Sequence, residues 1–270
     1  MNIKKHIPNA LTCGNILCGC MGLLVTSWYR LDYAFLFMVI GGLFDFLDGF
    51  VARLLKVSSP IGKDLDSLAD MLTFGVLPGF IMFKMIGLSV LGFDIELARE
   101  VYSTLGIGTS TIAEFEKLGV TSYQLFLPFS AFLIPVFSAI RLAKFNNDSR
   151  QTDSFIGVPT PANAILISSL AFILISQIYW KHSFNYQLLY HPYILIGLTV
   201  IMSFLLVSEL PLFALKFKNF GWADNKIRFL FLIISMILLI LFQFIAIPFI
   251  IFLYILLAVI NNLFNKKEQV

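Results

Sequence analysis

The sequence predicts an all-α, polytopic membrane protein, a bundle of about eight transmembrane helices with both termini in the cytoplasm. The first observation behind this fold class is composition, because 59% of the 270 residues are hydrophobic, 13% are charged and the mean hydropathy is +0.88. Soluble domains carry about 25% charged residues. The other two observations are apolar segments of membrane-spanning length and an unequal distribution of positive charge between their ends. The lipid bilayer is therefore the expected surroundings of the chain.

Eight apolar windows have about the 20 residues needed to cross a hydrocarbon core. They lie at 10–29, 33–55, 62–89, 123–145, 161–180, 192–215, 227–245 and 247–264. The last two form one apolar run, and Pro248 favours its folding as a helical hairpin. Six spans, with the final run re-entrant or interfacial, are the alternative. We therefore expect a transmembrane core at 1–215, followed at 216–270 by a cytoplasmic connection and a C-terminal hairpin.

Lysine and arginine residues are distributed unequally between the two ends of these windows. With the N-terminus inside, 14 of the 19 fall in inner segments and four in outer segments, while Lys84 lies within a window. Positive residues accumulate on the cytoplasmic side of membrane proteins. The distribution predicts an even number of spans and a multi-pass protein of the cytoplasmic membrane.

Four aspartates interrupt the apolar pattern between residues 45 and 70. Asp45 and Asp48 are three positions apart in the second window, so they share a helix face. Asp66 and Asp70 are four apart in the third window and also share a face. The turn between the windows is short, so the two acidic faces are expected to meet at the inner end of antiparallel neighbours. Because ionised carboxylates are costly at membrane depth and Arg53 is the one arginine close enough in sequence to neutralise them, the cluster predicts a functional site.

The chemistry of these carboxylates indicates metal binding. Carboxylate oxygens are hard ligands that suit Mg²⁺ or Mn²⁺. Two such ions, about 3.5–4 Å apart, can clamp a phosphoryl group during its displacement. Gly49 and Gly62 leave room beside the acids, and Arg53 is placed to pair with a carboxylate or phosphate oxygen. The pattern predicts a two-metal site for phosphoryl transfer, and a cation-coupled transporter with intramembrane aspartates is the alternative from another class.

The acidic stretch also resembles the signature of the CDP-alcohol phosphatidyltransferases. The spacing matches at every fixed position: Asp45-x2-Asp48-Gly49-x2-Ala52-Arg53-x8-Gly62-x3-Asp66-x3-Asp70. The resemblance implies that the four aspartates hold two divalent ions and that Asp70 is the general base toward the acceptor hydroxyl. It further implies that the nucleotide of a CDP-linked donor lies near Gly49, Ala52 and Gly62.

Longer segments are similar to the bacterial, membrane-embedded branch of this family that makes phosphatidylserine. They are IPNALTCGNILCG, DFLDGFVARLLKVSSPIGKDLDSLADMLTFGVLP, SAIRLAKFN and SFIGVPTPANA, within residues 7–164. The similarity implies CDP-diacylglycerol and L-serine as substrates and CMP as a product. A homodimer is a family expectation, and no nucleic-acid partner is expected. Within the family, glycerol 3-phosphate or inositol phosphate is the alternative acceptor.

Residues at the inner ends of two other windows complete the predicted site. Those expected at the CDP-diacylglycerol site, beside Gly49, Ala52, Arg53 and Gly62, are Pro8, Asn9 and Thr12. Those expected to bind serine or phosphate are Arg141, Lys144 and Asn146. A diphosphate or the carboxylate of serine would pair with the two cations, for which positive-inside topology is the alternative reason. Related sequences usually have Arg in place of Lys144, so bidentate phosphate contact would be lost there.

Overall fold

Helices make up most of the protein in the computed structural model, which describes residues 6–57, 59–98, 121–147, 154–180, 189–213 and 221–267. The helices are α1 (His6–Ser27), α2 (Leu31–Leu55), α3 (Pro60–Asp70), α4 (Leu77–Val90), α5 (Ser122–Phe126), α6 (Leu133–Asn147), α7 (Thr160–Trp180), α8 (Pro192–Val207), α9 (Trp222–Phe242) and α10 (Ala246–Lys267). A π-helical turn, Met71–Val76, joins α3 to α4. Two 3₁₀ helices, Leu127–Phe132 and Gln243–Ile245, and two short strands, β1 (Ser154–Ile156) and β2 (Pro211–Phe213), complete the described elements. The predicted all-α class is confirmed.

Six of the described helical stretches are long and apolar enough to cross a membrane. They are His6–Ser27, Leu31–Leu55, Pro60–Val90, Tyr123–Asn147, Thr160–Ile178 and Asn225–Asn262. Helix α8 is apolar but has only 16 residues. The chain is thus a multi-pass helical membrane protein, as predicted. The count of eight crossings, the cytoplasmic termini and the boundary at residue 215 stay predictions.

The apolar run at the C-terminal end folds as two helices. Helix α9 stops at Phe242, and Gln243 follows with φ 51° and ψ −129°, a conformation that no helix continues through. Helices α9 and α10 contact each other and line one groove together, with Leu238 and Phe242 from α9 and Phe249 and Leu253 from α10. The two helices are therefore the arms of a hairpin. The predicted break in the run is therefore confirmed.

The sixth apolar window, 192–215, extends beyond its helix. Helix α8 ends at Val207, and Ser208 has the extended angles φ −66° and ψ 152°. Pro211 has no N–H to donate to a helix, so the chain continues instead into β2. This strand pairs antiparallel with β1, with Phe155 opposite Leu212. The small β-ribbon was not predicted, because three-residue strands have no hydrophobic period to detect.

Helix α1 lies between the two helices that carry the aspartates. It packs along α2 and also against α3, whereas α2 and α3 make few direct contacts with each other. Small residues allow this close approach: a Cβ on Gly41 of α2 would lie 3.0 Å from Asn15 Oδ1 of α1. The acidic faces of α2 and α3 therefore meet as predicted, but through the contacts that each helix makes with α1. Helices α1, α2 and α3 together surround the candidate site.

Candidate active site

Three of the four aspartates form a compact group at one end of the bundle. Asp45 and Asp48 come from the C-terminal half of α2, and Asp66 comes from α3. One oxygen from each carboxylate lies within 4.8 Å of the oxygens of the other two. Asp48 is 6% exposed. The structure thus brings the two predicted acidic faces together, although their helices barely touch.

Asp70 lies one helical turn beyond Asp66 and outside this compact group. Its Oδ1 is buried and has no hydrogen-bond partner among the described residues. The charges that act most strongly on its carboxyl group are those of Asp45 and Asp66. The guanidinium of Arg141 is also close enough to interact with it electrostatically. Asp70 therefore faces both the acidic group and the basic residue near the C-terminal end of α6.

The acidic group fits a divalent cation. Among the residues that the structure describes, no lysine or arginine forms an ion pair with any of the four carboxylates. Carboxylates that are gathered together and partly or fully buried, without a protein cation, need another source of positive charge. Oxygen ligands at this separation suit a hard ion such as Mg²⁺ or Mn²⁺. Asp45, Asp48 and Asp66 could hold such an ion, with Asp70 beside them.

A cavity of about 380 Å³ opens beside the acidic group. Its lining residues come from α1, α2, α3 and the turn before α3: Pro8, Asn9, Thr12, Asp45, Asp48, Gly49, Ala52, Val57, Ser59, Gly62, Lys63 and Asp66. The three residues predicted from α1 therefore share one cavity with three of the aspartates. Sequence reasoning missed Val57, Ser59 and Lys63 as lining residues.

The turn between α2 and α3 has a local explanation in the sequence. Lys56 ends α2 in a left-handed conformation, with φ 50° and ψ 45°. Ser59 caps α3 by accepting a hydrogen bond from the Gly62 N–H at 3.0 Å, and Pro60 follows at the first helical position. Serine before proline is a recognised signal for a helix start. That signal could have identified Ser59, because a cap at this point begins the helix that carries Asp66, and both residues line the cavity.

The two signature glycines have different surroundings. A Cβ on Gly62 would lie 2.9 Å from Ser59 Oγ and 3.0 Å from Asn9 Oδ1. Glycine at this position lets α3 approach α1. A Cβ on Gly49 would meet only the Arg53 guanidinium, at 3.6 Å. Space for a ligand therefore remains above Gly49, whereas Gly62 has a packing role that the sequence analysis did not anticipate.

The predicted basic and amide residues are dispersed around the site. Arg53 is exposed and extends over Gly49. Arg141 is 6% exposed and donates from Nε to Val158 O at 3.0 Å. The exposed Lys144 contacts Val207 O at 3.4 Å. Asn146 donates to Ser67 Oγ at 2.9 Å and lines a separate groove between α3 and α6. Of the three residues predicted to bind serine or phosphate, Arg141 is the one that interacts electrostatically with a carboxylate of the candidate site, that of Asp70.

The similarity of the chain to known proteins covers the four aspartates and the cavity beside them. Residues 5–193 match the family model described as CDP-alcohol phosphatidyltransferase. The chain is similar to the CDP-diacylglycerol–serine O-phosphatidyltransferase of Helicobacter pylori strain J99, with 29% identity over 84% of this chain and 78% of the relative. It is 28% identical to the Bacillus subtilis protein of that name, over 80% of this chain and 92% of the relative. An archaetidylserine synthase of Methanothermobacter thermautotrophicus is 27% identical over 63% of this chain and 61% of its own length.

The family match includes every element that lines the acidic cavity, namely α1, α2, the turn and α3. It favours an enzyme over the alternative of a cation-coupled transporter. The chain is a member of the CDP-alcohol phosphatidyltransferase family.

Proposed function

We propose that this enzyme transfers the phosphatidyl group of CDP-diacylglycerol to L-serine, producing phosphatidylserine and CMP. The observation that carries the proposal is the convergence of Asp45, Asp48 and Asp66 on a cavity beside Asp70. Relatives that match most of the chain bear the name of the serine-dependent reaction. The aspartates support the proposal of phosphoryl transfer, and the names of the relatives support serine as the acceptor.

The cavity is the proposed site for the cytidine diphosphate part of the donor. Gly49 leaves open space above α2, and Arg53 extends across that space. The other residues proposed to surround the donor are Pro8, Asn9, Thr12, Ala52 and Gly62. Two divalent ions, Mg²⁺ or Mn²⁺, would neutralise charge on the diphosphate and on the leaving CMP. The proposed metal-holding residues are Asp45, Asp48, Asp66 and Asp70.

Asp70 is the proposed general base. The hydroxyl oxygen of serine attacks the phosphorus atom that bears diacylglycerol, and the bond from that phosphorus to CMP breaks. The serine proton passes to the Asp70 carboxylate, and CMP leaves with the electron pair of the broken bond. Asp70 Oδ1 suits this role because it is buried and has no hydrogen-bond partner among the described residues. A base placed at the reacting hydroxyl contributes about 10²- to 10⁴-fold to such a reaction.

Arg141 supports serine as the acceptor. It interacts with the Asp70 charge, so an anionic group bound to its guanidinium would lie next to the base. A single buried arginine suits the one carboxylate of serine, whereas glycerol 3-phosphate or inositol phosphate would require a larger basic pocket. Lys144 and Asn146 contact other helices in the structure, and their part in serine binding stays a prediction.

The site is proposed to face the cytoplasm from the cytoplasmic membrane. The acidic group lies near the turn where α2 ends and α3 begins. The positive-inside rule predicts that this turn, which carries Arg53, Lys56 and Lys63, is on the cytoplasmic side. The acyl chains of the donor can stay in the bilayer while polar groups exchange at its rim. The donor and product lipids then never leave the membrane.

An acceptor panel tests this function. The full-length enzyme in nanodiscs is given CDP-diacylglycerol, Mn²⁺ and one acceptor at a time: L-serine, glycerol 3-phosphate or inositol phosphate. We expect CMP release with L-serine and phosphatidylserine as the lipid product. Release with glycerol 3-phosphate or inositol phosphate instead would assign a sister activity. If L-serine supports no CMP release, the proposed acceptor is wrong.

A further inference from the structure

Two segments that are distant in sequence hold each other at the inner end of the bundle. Residues 154–158 follow α6, and residues 205–213 include the end of α8 and β2; we call the two together the clasp. Beyond the β1–β2 pairing, the Gly157 N–H donates to Leu210 O at 2.9 Å. The Val158 N–H donates to Leu205 O at 3.0 Å. The loop before α7 is thus fixed to a part of the chain outside the family-matched residues 5–193.

The basic side chains of α6 bind to the clasp. Arg141 Nε donates to Val158 O at 3.0 Å, and Lys144 Nζ lies 3.4 Å from Val207 O. One donor of the Arg141 guanidinium is therefore used to fix the orientation of the group. A guanidinium has five N–H donors in a fixed plane, so fixing Nε also sets where the remaining donors point. The position of the Val158 carbonyl thus determines how Arg141 meets the Asp70 side of the site.

The C-terminal hairpin holds the clasp from the other side. Tyr254 OH on α10 donates to Phe213 O at 2.9 Å, and Asn262 Nδ2 donates to Pro211 O at 2.7 Å. The Phe213 ring also packs edge-on against Tyr254, with centroids 4.9 Å apart, and against Phe231 of α9 at 6.1 Å. Two carbonyls of β2 are therefore bonded to one helix of the hairpin. A continuous series of contacts runs from α10 through β2 to Val158 and Arg141.

We propose that the clasp and the C-terminal hairpin position Arg141 for substrate binding, so that residues beyond the family-matched region complete the active site. The inference rests on the proposed function, in which Arg141 binds a substrate anion beside Asp70. Gly157, Tyr254 and Asn262 are positioning residues, since they act through the Val158 carbonyl. This gives the last two helices a role in catalysis besides anchoring the chain in lipid.

Gly157 is the position where the clasp can be disturbed most directly. It has φ 74°, and an added Cβ would lie 2.6 Å from Leu206 O and 3.0 Å from Ser208 O. Both atoms are backbone, so a side chain would separate the two halves of the clasp. Gly92 is a matched control, because it has φ 65° but no atom within 4 Å of an added Cβ. Alanine at the two positions shares the backbone strain but not the collision.

The experiment compares Gly157→Ala with Gly92→Ala in the full-length enzyme, measuring kcat/KM for the acceptor and the melting temperature in detergent. We expect Gly157→Ala to lower kcat/KM at least tenfold, and Gly92→Ala to leave it within twofold. In an Arg141→Lys background, Gly157→Ala should lower kcat/KM less than threefold, because the group it positions is already changed. Effects that multiply in the double variant, or equal kcat/KM for the two glycine variants, overturn the proposal.

A second pair of variants, which disturbs the structure less, tests the role of the hairpin. It also tests the proposal if the Gly157→Ala protein does not fold. The double variant Tyr254→Phe/Asn262→Ala removes both hydrogen bonds to β2 and should lower kcat/KM three- to tenfold. Ser235→Ala, on α9, removes a hydroxyl with no hydrogen-bond partner among the described residues and should leave kcat/KM within twofold. Unchanged kcat/KM in the double variant shows that the hairpin does not position the site. The acceptor panel uses only the wild-type enzyme. A wrong acceptor assignment can therefore be distinguished from a wrong positioning role of the hairpin.

Discussion

Thr12 Oγ1 donates a hydrogen bond to Asp48 Oδ2 at 2.5 Å, joining α1 to the acidic helix α2. Thr12 is 3% exposed and Asp48 is 6% exposed, so water does not compete strongly for either group. The bond fixes one carboxylate oxygen of Asp48 in place. Helix α1 therefore lines the cavity and also orients a proposed metal ligand.

Removal of the Thr12 hydroxyl should weaken metal binding. Loss of a hydrogen bond that orients a metal-binding group costs about ten- to a hundredfold in metal affinity. We expect Thr12→Val, which keeps the side-chain shape, to raise the Mn²⁺ concentration for half-maximal CMP release by about tenfold. Thr12→Ser should restore the wild-type value. An unchanged Mn²⁺ dependence in Thr12→Val would show that the bond does not orient Asp48 for metal.

Replacement of Asp70 should stop turnover without unfolding the protein. Asp70→Asn keeps the shape of the side chain but cannot accept the proton, so we expect CMP release to fall by about 10²- to 10⁴-fold. The melting temperature should stay close to that of the wild type. Asp64→Asn is the control, because Asp64 is exposed on another face of α3 and should keep full activity. Near-normal rates in Asp70→Asn would rule out the general-base assignment.

Metal removal should change stability as well as activity. Mutual repulsion of the carboxylates is relieved when a cation binds, and a ligand that binds only the folded state stabilises it. We expect EDTA to abolish CMP release and to lower the melting temperature of the wild type, with both restored by Mn²⁺ or Mg²⁺. In Asp45→Asn, a higher Mn²⁺ concentration should be needed to restore CMP release and to restore the melting temperature. A wild type whose activity survives complete chelation would contradict the two-metal proposal.

Alanine substitutions at two glycines should distinguish the effect of a packing collision from the effect of helix propensity. Gly62→Ala places a Cβ 2.9 Å from Ser59 Oγ, so we expect a loss of about 1–3 kcal/mol in stability together with a higher KM for CDP-diacylglycerol. Gly197 lies within α8, with no atom within 4 Å of an added Cβ. Gly197→Ala should therefore stabilise the helix by up to about 1 kcal/mol with unchanged KM. Equal KM values for both variants would show that the contact of α3 with α1 does not shape the cavity.

The sequence alone determined the membrane class, the main helices and the acidic residues. Apolar length identifies a membrane helix because the hydrocarbon thickness sets how many residues must cross it. Four aspartates among such residues indicate a candidate site, because a carboxylate at membrane depth needs a compensating charge or hydrogen bond. Their spacing also placed them on helix faces, and the signature matched the family that the comparisons support.

Only the tertiary structure decided how the site is assembled. Helical spacing defines a face but not its neighbour, so the position of α1 between α2 and α3 followed from close packing at small residues such as Gly41. The bond from Arg141 to Val158 and the β-ribbon join residues far apart in the chain, and no local period encodes such contacts. Local spacing therefore predicted which residues belong to the candidate site, whereas packing between distant segments determined which of them meet.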